Sequence, residues 1–451
     1  MELKNSNKNG IIIAPAGCGK TESIVNLIKE YTGDKKILVL THTNAGIENI
    51  ERRLRKKKIS TKKCNIYTIA SFCSIYVTAF RVTSKIYDNS YEQIYSKMDE
   101  LMNNNHIKNI IKNTYELMLV DEYQDCNLIQ HSIIRKVSKL ISYKIYGDPL
   151  QAIYNFEKTN IKFEHIINKD YELLENMTYP WRWKNCNYEM GNWINLSREK
   201  LIENDLNIFN SLPNGVEVFK YDNYQDLCKK AIQFSYYNGR NVILFNLENQ
   251  ANTFCKKLGG RFFFQEEIEC KALKNLIEYI DNKNVLGIVK EFIKISKMCF
   301  TNFLTEYNNV VNKVEKNNFD FKGLKTNKEL ANLISTAIVE FKLQTLIEMA
   351  DVIDKNTNLK LYRKELWEVL KKLLKELLAN NRTAKETLIL IRNSKINNNN
   401  FKYKNMVSRI LLVKGLEFEN VFIVNPDELT KELLYVAISR PTQRLIIAEK
   451  E

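Results

Sequence analysis

The sequence predicts an α/β protein in which two domains with parallel sheets carry small, mostly helical insertions. Three observations lead there. Short apolar runs such as "III" at 11–13, "LMLV" at 117–120 and "NVILF" at 241–245 are each followed by a polar loop and an amphipathic segment, as buried parallel strands require. A chain of 451 residues, 44% of them hydrophobic, is too long for one ordinary core and rich enough to fill two or three. From about Gln265 to Ala384 the pattern changes to helices without strands.

Composition narrows the function classes. The net charge of +15 favours a polyanionic partner. Nine cysteines are scattered without a C-x-x-C pair, which suits reduced thiols, and His42, His106, His131 and His165 stand alone, which argues against zinc. No window reaches 18 unbroken apolar residues, and "MELKNSNKNG" has no apolar signal core, so a soluble, cytoplasmic protein is expected.

The first element with chemistry is "GIIIAPAGCGKTESIVNLIKEY". The strand Ile11 to Ile13 leads into a loop of small residues, Ala14, Pro15, Ala16, Gly17, Cys18 and Gly19, and then a helix with Ile24, Leu27 and Ile28 on one face. Small residues let successive backbone N–H groups curve around phosphate oxygens at a helix N-terminus. Lys20 would neutralise the phosphates and the Thr21 hydroxyl would bind Mg²⁺.

"MLVDEYQDCN" sets Asp121, Glu122 and Asp125 directly after a short buried strand. Given the loop, Asp121 becomes the magnesium partner through water and Glu122 the residue that polarises an attacking water. ATP and Mg²⁺ are the implied cofactors.

With the P-loop, seven further stretches in order resemble the UvrD/Rep-like superfamily 1 helicases. "APAGCGKT" is similar to that family's A-x-A-G-x-G-K-T, "LTHTNAGIENIERRL" to motif Ia, "TIASF" to motif Ic, "VDEYQD" to motif II and "GDPLQAIY" to motif III. "YPWRWK", "VKGLEF" and "LYVAISRP" resemble motifs IV, V and VI. The resemblance implies two RecA-like domains and residue roles on each motif. Gln151 would sense the γ-phosphate, while Arg182 and Arg440, from the second motor domain, would clamp the phosphates. Trp181 would stack on adenine, and Glu417, beside Gly415, would reach the ribose. Thr41, Thr43, Asn44 and Thr68 would touch single-stranded DNA, with His42, Tyr154 and Phe156 offering flat faces to bases.

Departures from the family pattern fall on DNA contact and coupling. No glutamine precedes Ile11, Ala70 replaces the histidine of motif Ic, Arg409 and Leu411 replace Thr and His of motif V, and Phe156 with Glu157 replaces an aromatic-Arg pair. Hydrolysis is therefore expected to be intact, and strand separation does not follow from it.

The motif spacings divide the chain into a first RecA-like domain (1–75 and 116–175), a short 1B-like insertion (76–115), a second RecA-like domain (176–264 and 385–451) and a helical, reduced 2B-like insertion (265–384). The second domain resumes with strands at "TLILIR", "SRILLV", "VFIV" and "RLIIAEK". The small insertions also resemble the helicase-like subunit of the Gabija anti-phage defence system, which implies a nuclease partner of the overcoming-lysogenization type. A free-standing 3′ to 5′ helicase and an ATP-binding structural subunit are the alternative readings.

Overall fold

The computed structural model describes residues 8–80, 91–154, 161–167, 169–266, 271–380, 382–396 and 403–451. These divide into two compact units, Met1–Val216 with Leu429–Gln443, and Glu217–Glu428 with Arg444–Glu451.

The first unit is built on a six-stranded sheet of order β3-β2-β4-β5-β1-β6. Its strands are β1 (Gly10–Ile13), β2 (Lys36–Thr41), β3 (Cys64–Thr68), β4 (Tyr115–Val120), β5 (Ser142–Gly147) and β6 (Leu173–Asn176), and all the pairings are parallel. Ile11 pairs with Ile145 and Val120 with the same residue, so the strands end almost level. Parallel strands that end level deliver their following loops to one edge, where ligands of open α/β sheets bind. Helices cover both faces. Leu38, Leu40, Met118 and Ile145 belong to one buried layer, and Ile12, Val39, Leu119 and Tyr146 to the other, as two-faced burial of near-continuous apolar strands demands.

The second unit has a sheet of order β7-β14-β13-β8-β12-β9. Its strands are β7 (Val216–Tyr221), β8 (Asn241–Phe245), β9 (Phe263–Phe264), β12 (Asn405–Arg409), β13 (Phe418–Val424) and β14 (Pro441–Lys450). Three asparagines at one register cross its middle. Asn241 pairs with Asn405 on one side and Asn420 on the other, donates to Asn405 Oδ1 (2.7 Å) and accepts from Asn420 Nδ2 (2.8 Å). A one-residue slip would break this amide ladder as well as invert the apolar faces.

Between β9 and β12 a helical region packs its own core, with Leu276, Phe292, Val310, Ile334, Leu346, Trp367 and Leu370 among its buried side chains. Three details correct the sequence reading. This region contains strands after all, since β10 (Phe300–Thr301) pairs antiparallel with β11 (Lys360–Leu361). Of "SRILLV" only Ser408 and Arg409 lie in a strand, β12, while Ile410–Val413 form a short helical turn. "TLILIR" lies within a helix, Ala384–Ile396, not a strand. Ala384, Leu388 and Ile391 are buried at helical spacing while Ile389 and Leu390 are exposed, so the run of β-formers is overridden by packing on one face. Among the described residues no helix is long and apolar enough to cross a membrane.

Candidate nucleotide site

The loop after β1 turns sharply because two of its glycines are left-handed, Gly17 with φ 75° and Gly19 with φ 95°. Both are also closely covered. A Cβ on Gly17 would stand 2.4 Å from Trp183 Cζ3, and one on Gly19 would stand 3.0 Å from Trp181 Cδ1. Glycine is thus required twice over, by backbone conformation and by space. The Ala16 N–H donates to the Tyr435 hydroxyl (3.0 Å), and the Arg182 N–H donates to the Gly17 carbonyl (3.1 Å). Gly19 caps the helix Lys20–Glu30, whose first residue is the candidate phosphate lysine.

Lys20 lies between two carboxylates from the end of β4. Its ammonium forms an ion pair with Glu122 and stands 3.4 Å from Asp121 Oδ1. Burial by itself would lower the Lys20 pKa, but Glu122 and Asp121 outweigh it and hold the group above its ordinary value, hence charged. Burial pushes the Asp121 carboxyl up, with Lys20 opposing. Glu122 adopts φ 55°, a left-handed backbone unusual for a non-glycine, and donates its N–H to Asp121 Oδ1 (3.0 Å).

A hydrogen-bonded chain runs on from Glu122. Gln124 donates to Glu122 Oε2 (2.5 Å), and its carbonyl oxygen accepts the Asp148 N–H (3.1 Å). The Asp148 side chain is fully buried, accepting Gln151 Nε2 on Oδ2 (3.0 Å) and Arg198 Nε and Nη2 on Oδ1 (3.1 and 2.9 Å). Glu122 and Gln151 are therefore linked through two buried side chains. Arg182 Nη1 donates to the Ser439 carbonyl (2.6 Å), and Arg440, almost fully buried, donates to Val436 O (2.8 Å) and Ser439 Oγ (2.7 Å). Both arginines thus contact the segment at 436–439, within the same compact unit as Lys20. Trp181 is 42% exposed beside the Tyr179 ring, available to stack on a flat ligand.

Of the remaining sequence candidates, Thr41 and Thr68 pair at the ends of β2 and β3, and His42, Thr43 and Asn44 follow β2 at the same edge. Thr41 is buried against Gly46, Thr43 caps the helix Asn44–Lys56 by accepting from Gly46 N (3.1 Å), and Thr68 caps Ile69–Ala79 by accepting from Ser71 N (3.0 Å). His42 Nε2 stands 3.4 Å from Cys126 Sγ. Asn44 is exposed and Tyr154 is 38% exposed. Phe156 lies outside the described residues. Gly415 and Glu417 belong to the second unit, where Glu417 is exposed.

Sequence reasoning missed Gln124, Asp148, Arg198 and Tyr435. Gln124, Asp148 and Tyr435 stood inside recognised motifs, but nothing in the motif spacing says which group each would meet. Arg198 has no sequence signal, because one arginine on an amphipathic helix reads as solvated.

Residues 2–157 match the AAA domain family. The chain is 30% identical over 175 residues to the ATP-dependent DNA helicase Rep of Buchnera aphidicola, a stretch covering 35% of this chain and 25% of that protein. It is also 32% identical over 158 residues to the RecBCD enzyme subunit RecB of Borreliella burgdorferi, covering 33% of this chain and 13% of that one. These matches span a quarter or less of the two relatives. Arterivirus nonstructural protein 10 (helicase), solved with DNA, aligns over 99% of this chain and 62% of its own at TM-score 0.39 and 10% identity. The stretch 2–157 that matches the AAA domain family contains the loop, Lys20, Asp121, Glu122 and Gln151.

Proposed function

We propose that the chain is a DNA-stimulated ATPase of the helicase class. The observation that carries this is Lys20, buried and charged between Asp121 and Glu122 at the end of a glycine-shaped loop. The loop fits a nucleotide phosphate group, since its left-handed glycines turn the backbone into the N-terminus of the helix Lys20–Glu30, where N–H groups and the Lys20 charge favour an anion. Thr21 and Asp121 would hold Mg²⁺, an ion that typically takes one or two protein oxygens and leaves the rest to phosphates and water. When bound, Mg²⁺ supplies charge neutralisation at the phosphates.

The chain's own residues do the rest. Lys20 exchanges its carboxylate partners for phosphate oxygens, which leaves Glu122, fixed by Gln124, to orient water and accept its proton. Gln151 shares Asp148 with the same chain, so a change at the phosphate end reaches the loop that carries Tyr154. Arg182 and Arg440 stabilise charge spread over the transferring group without needing a proton transfer.

In its finer form the proposal makes the chain a subunit of an anti-phage complex with a nuclease, a reading supported by the small insertions and altered coupling positions. Similarity to Rep favours a second reading, a free-standing helicase. ATP hydrolysis by the purified chain, with and without single-stranded DNA and beside Glu122→Gln, tests the core proposal. No hydrolysis above the Glu122→Gln level, alone or with co-purifying protein, overturns it. Strong unwinding of a 3′-tailed duplex by the chain alone favours the second reading.

A further inference from the structure

Residues 52–63 read "RRLRKKKISTKK", eight basic residues and no acidic one. Lys and Arg make up 68 of 451 residues, so about two would be expected in a stretch this long, and composition does not account for the cluster. The stretch forms the end of the helix Asn44–Lys56, a left-handed turn at Lys58 (φ 55°) and the short turn Thr61–Lys63 capped by Ser60. Arg53 and Lys57 turn to Glu22 on the neighbouring helix. Among the described residues Arg52, Arg55, Lys56, Lys58, Lys62 and Lys63 form no ion pair, and all six are exposed. Part of this charge offsets the helix C-terminus, but that effect fades within one turn, and Lys62 and Lys63 lie beyond it.

The location separates this surface from the candidate strand contacts. Thr43 and Asn44 begin the helix at the edge where β2 ends, whereas the basic end sits where β2 and β3 begin, at Lys36 and Cys64. Thirteen residues at 1.5 Å each put about 20 Å between the two ends.

The side chains also select among polyanions. Leu54 is buried and Ile59 half-buried, so the patch has no exposed apolar anchor of the kind that protein interfaces rely on. Residues 52–63 also contain no aromatic ring on which an unpaired base could stack. What is left is dense, flexible positive charge, which is what a regular double row of phosphates needs.

We infer that the basic surface of Arg52, Arg55, Lys56, Lys58, Lys62 and Lys63 docks the phosphate backbone of duplex DNA, at a site separate from the nucleotide loop and from the candidate single-strand contacts. It holds duplex without regard to sequence while the opposite edge engages unpaired strand.

The test is binding of a fluorescent blunt duplex by the full chain between 50 and 200 mM salt. The Arg52→Gln, Arg55→Gln, Lys56→Gln, Lys58→Gln variant should bind more than about tenfold more weakly at low salt, and its log–log salt slope should fall by about 3. A charge-matched control with Lys316, Lys322, Lys325 and Lys328 changed to Gln should match wild type. An Arg52→Lys, Arg55→Lys variant should keep binding and shows that the fold tolerates change there. Equal weakening in the control, unchanged duplex binding in the patch variant, or loss of single-strand binding with duplex binding kept would each overturn the inference. So would loss of a co-purifying protein with duplex binding kept, which assigns the surface to an acidic protein. Because binding is read without nucleotide, failure of the ATPase proposal leaves this result interpretable.

Discussion

The two six-stranded sheets share an architecture and differ in the polar groups buried along their middle strands. At the edge where its strands end, the first buries Lys20, Asp121, Asp148 and Arg198. The second crosses its middle strands, where they begin, with the neutral amides of Asn405, Asn241 and Asn420. Neutral amides fix register and carry little electrostatic risk, whereas a buried charge is tolerated only when paired and hydrogen-bonded. The difference indicates that the first edge accepts a costly arrangement for chemistry, and the second solves a folding problem.

The comparison can be broken, starting with the largest effect. Lys20→Ala should cut ATP turnover by about 10³-fold or more in a steady-state assay, since nothing else in the loop supplies that charge. Wild-type turnover in this variant would mean that the buried charges do not serve hydrolysis. Arg198→Met leaves Asp148 buried and unpaired and should destabilise the first unit by about 3–5 kcal/mol in urea unfolding, with Asp148→Asn restoring part of the loss. Asn241→Ala should cost the second unit about 1–3 kcal/mol, because Asn420 and Asn405 each lose an amide partner. If the asparagine change proves as damaging as the arginine change, the contrast between the sheets fails.

The smallest effect concerns pH. His131 lies behind the acidic loop, with Nδ1 2.6 Å from the Tyr123 hydroxyl and Nε2 3.4 Å from Asp170 Oδ2. Burial lowers its pKa below the ordinary value of 6.5, with Asp170 opposing. The unfolded chain then takes up this proton first as pH falls, so the associated stability is complete above about 6.5 and declines below it. The melting temperature of wild type should fall between pH 7 and pH 5.5 more steeply than that of His131→Phe. Parallel curves would show that His131 is not a source of the acid sensitivity.

The sequence showed most where chemistry depends on local spacing. The order of strand, glycine loop and helix at 10–30, and the carboxylates after the strand at 115–120, occur as read, and the fold then brings Lys20, Asp121 and Glu122 together. It misled where one apolar run fits two periods. "TLILIR" has β-forming composition, yet a helical partner surface accepts Ala384, Leu388 and Ile391 on one side, and that packing decided the outcome. The threonines read as strand contacts also have a structural use. Thr43 and Thr68 occupy positions where a hydroxyl caps a helix, a use that sequence alone does not separate from binding.

By itself the sequence determined the α/β class, the glycine loop with its lysine, the carboxylates after β4 and the excess positive charge, because each is written in the residues themselves or in their immediate neighbours. Tertiary structure alone decided that Gln124 and Asp148 connect Glu122 to Gln151, that Arg198 neutralises Asp148, and that Tyr435 reaches the loop from 419 residues away. Three of these pairings, Gln124 with Asp148, Arg198 with Asp148 and Tyr435 with Ala16, join groups far apart in the chain. Which donor meets which acceptor is set by how helices and strands pack, and no local pattern records it.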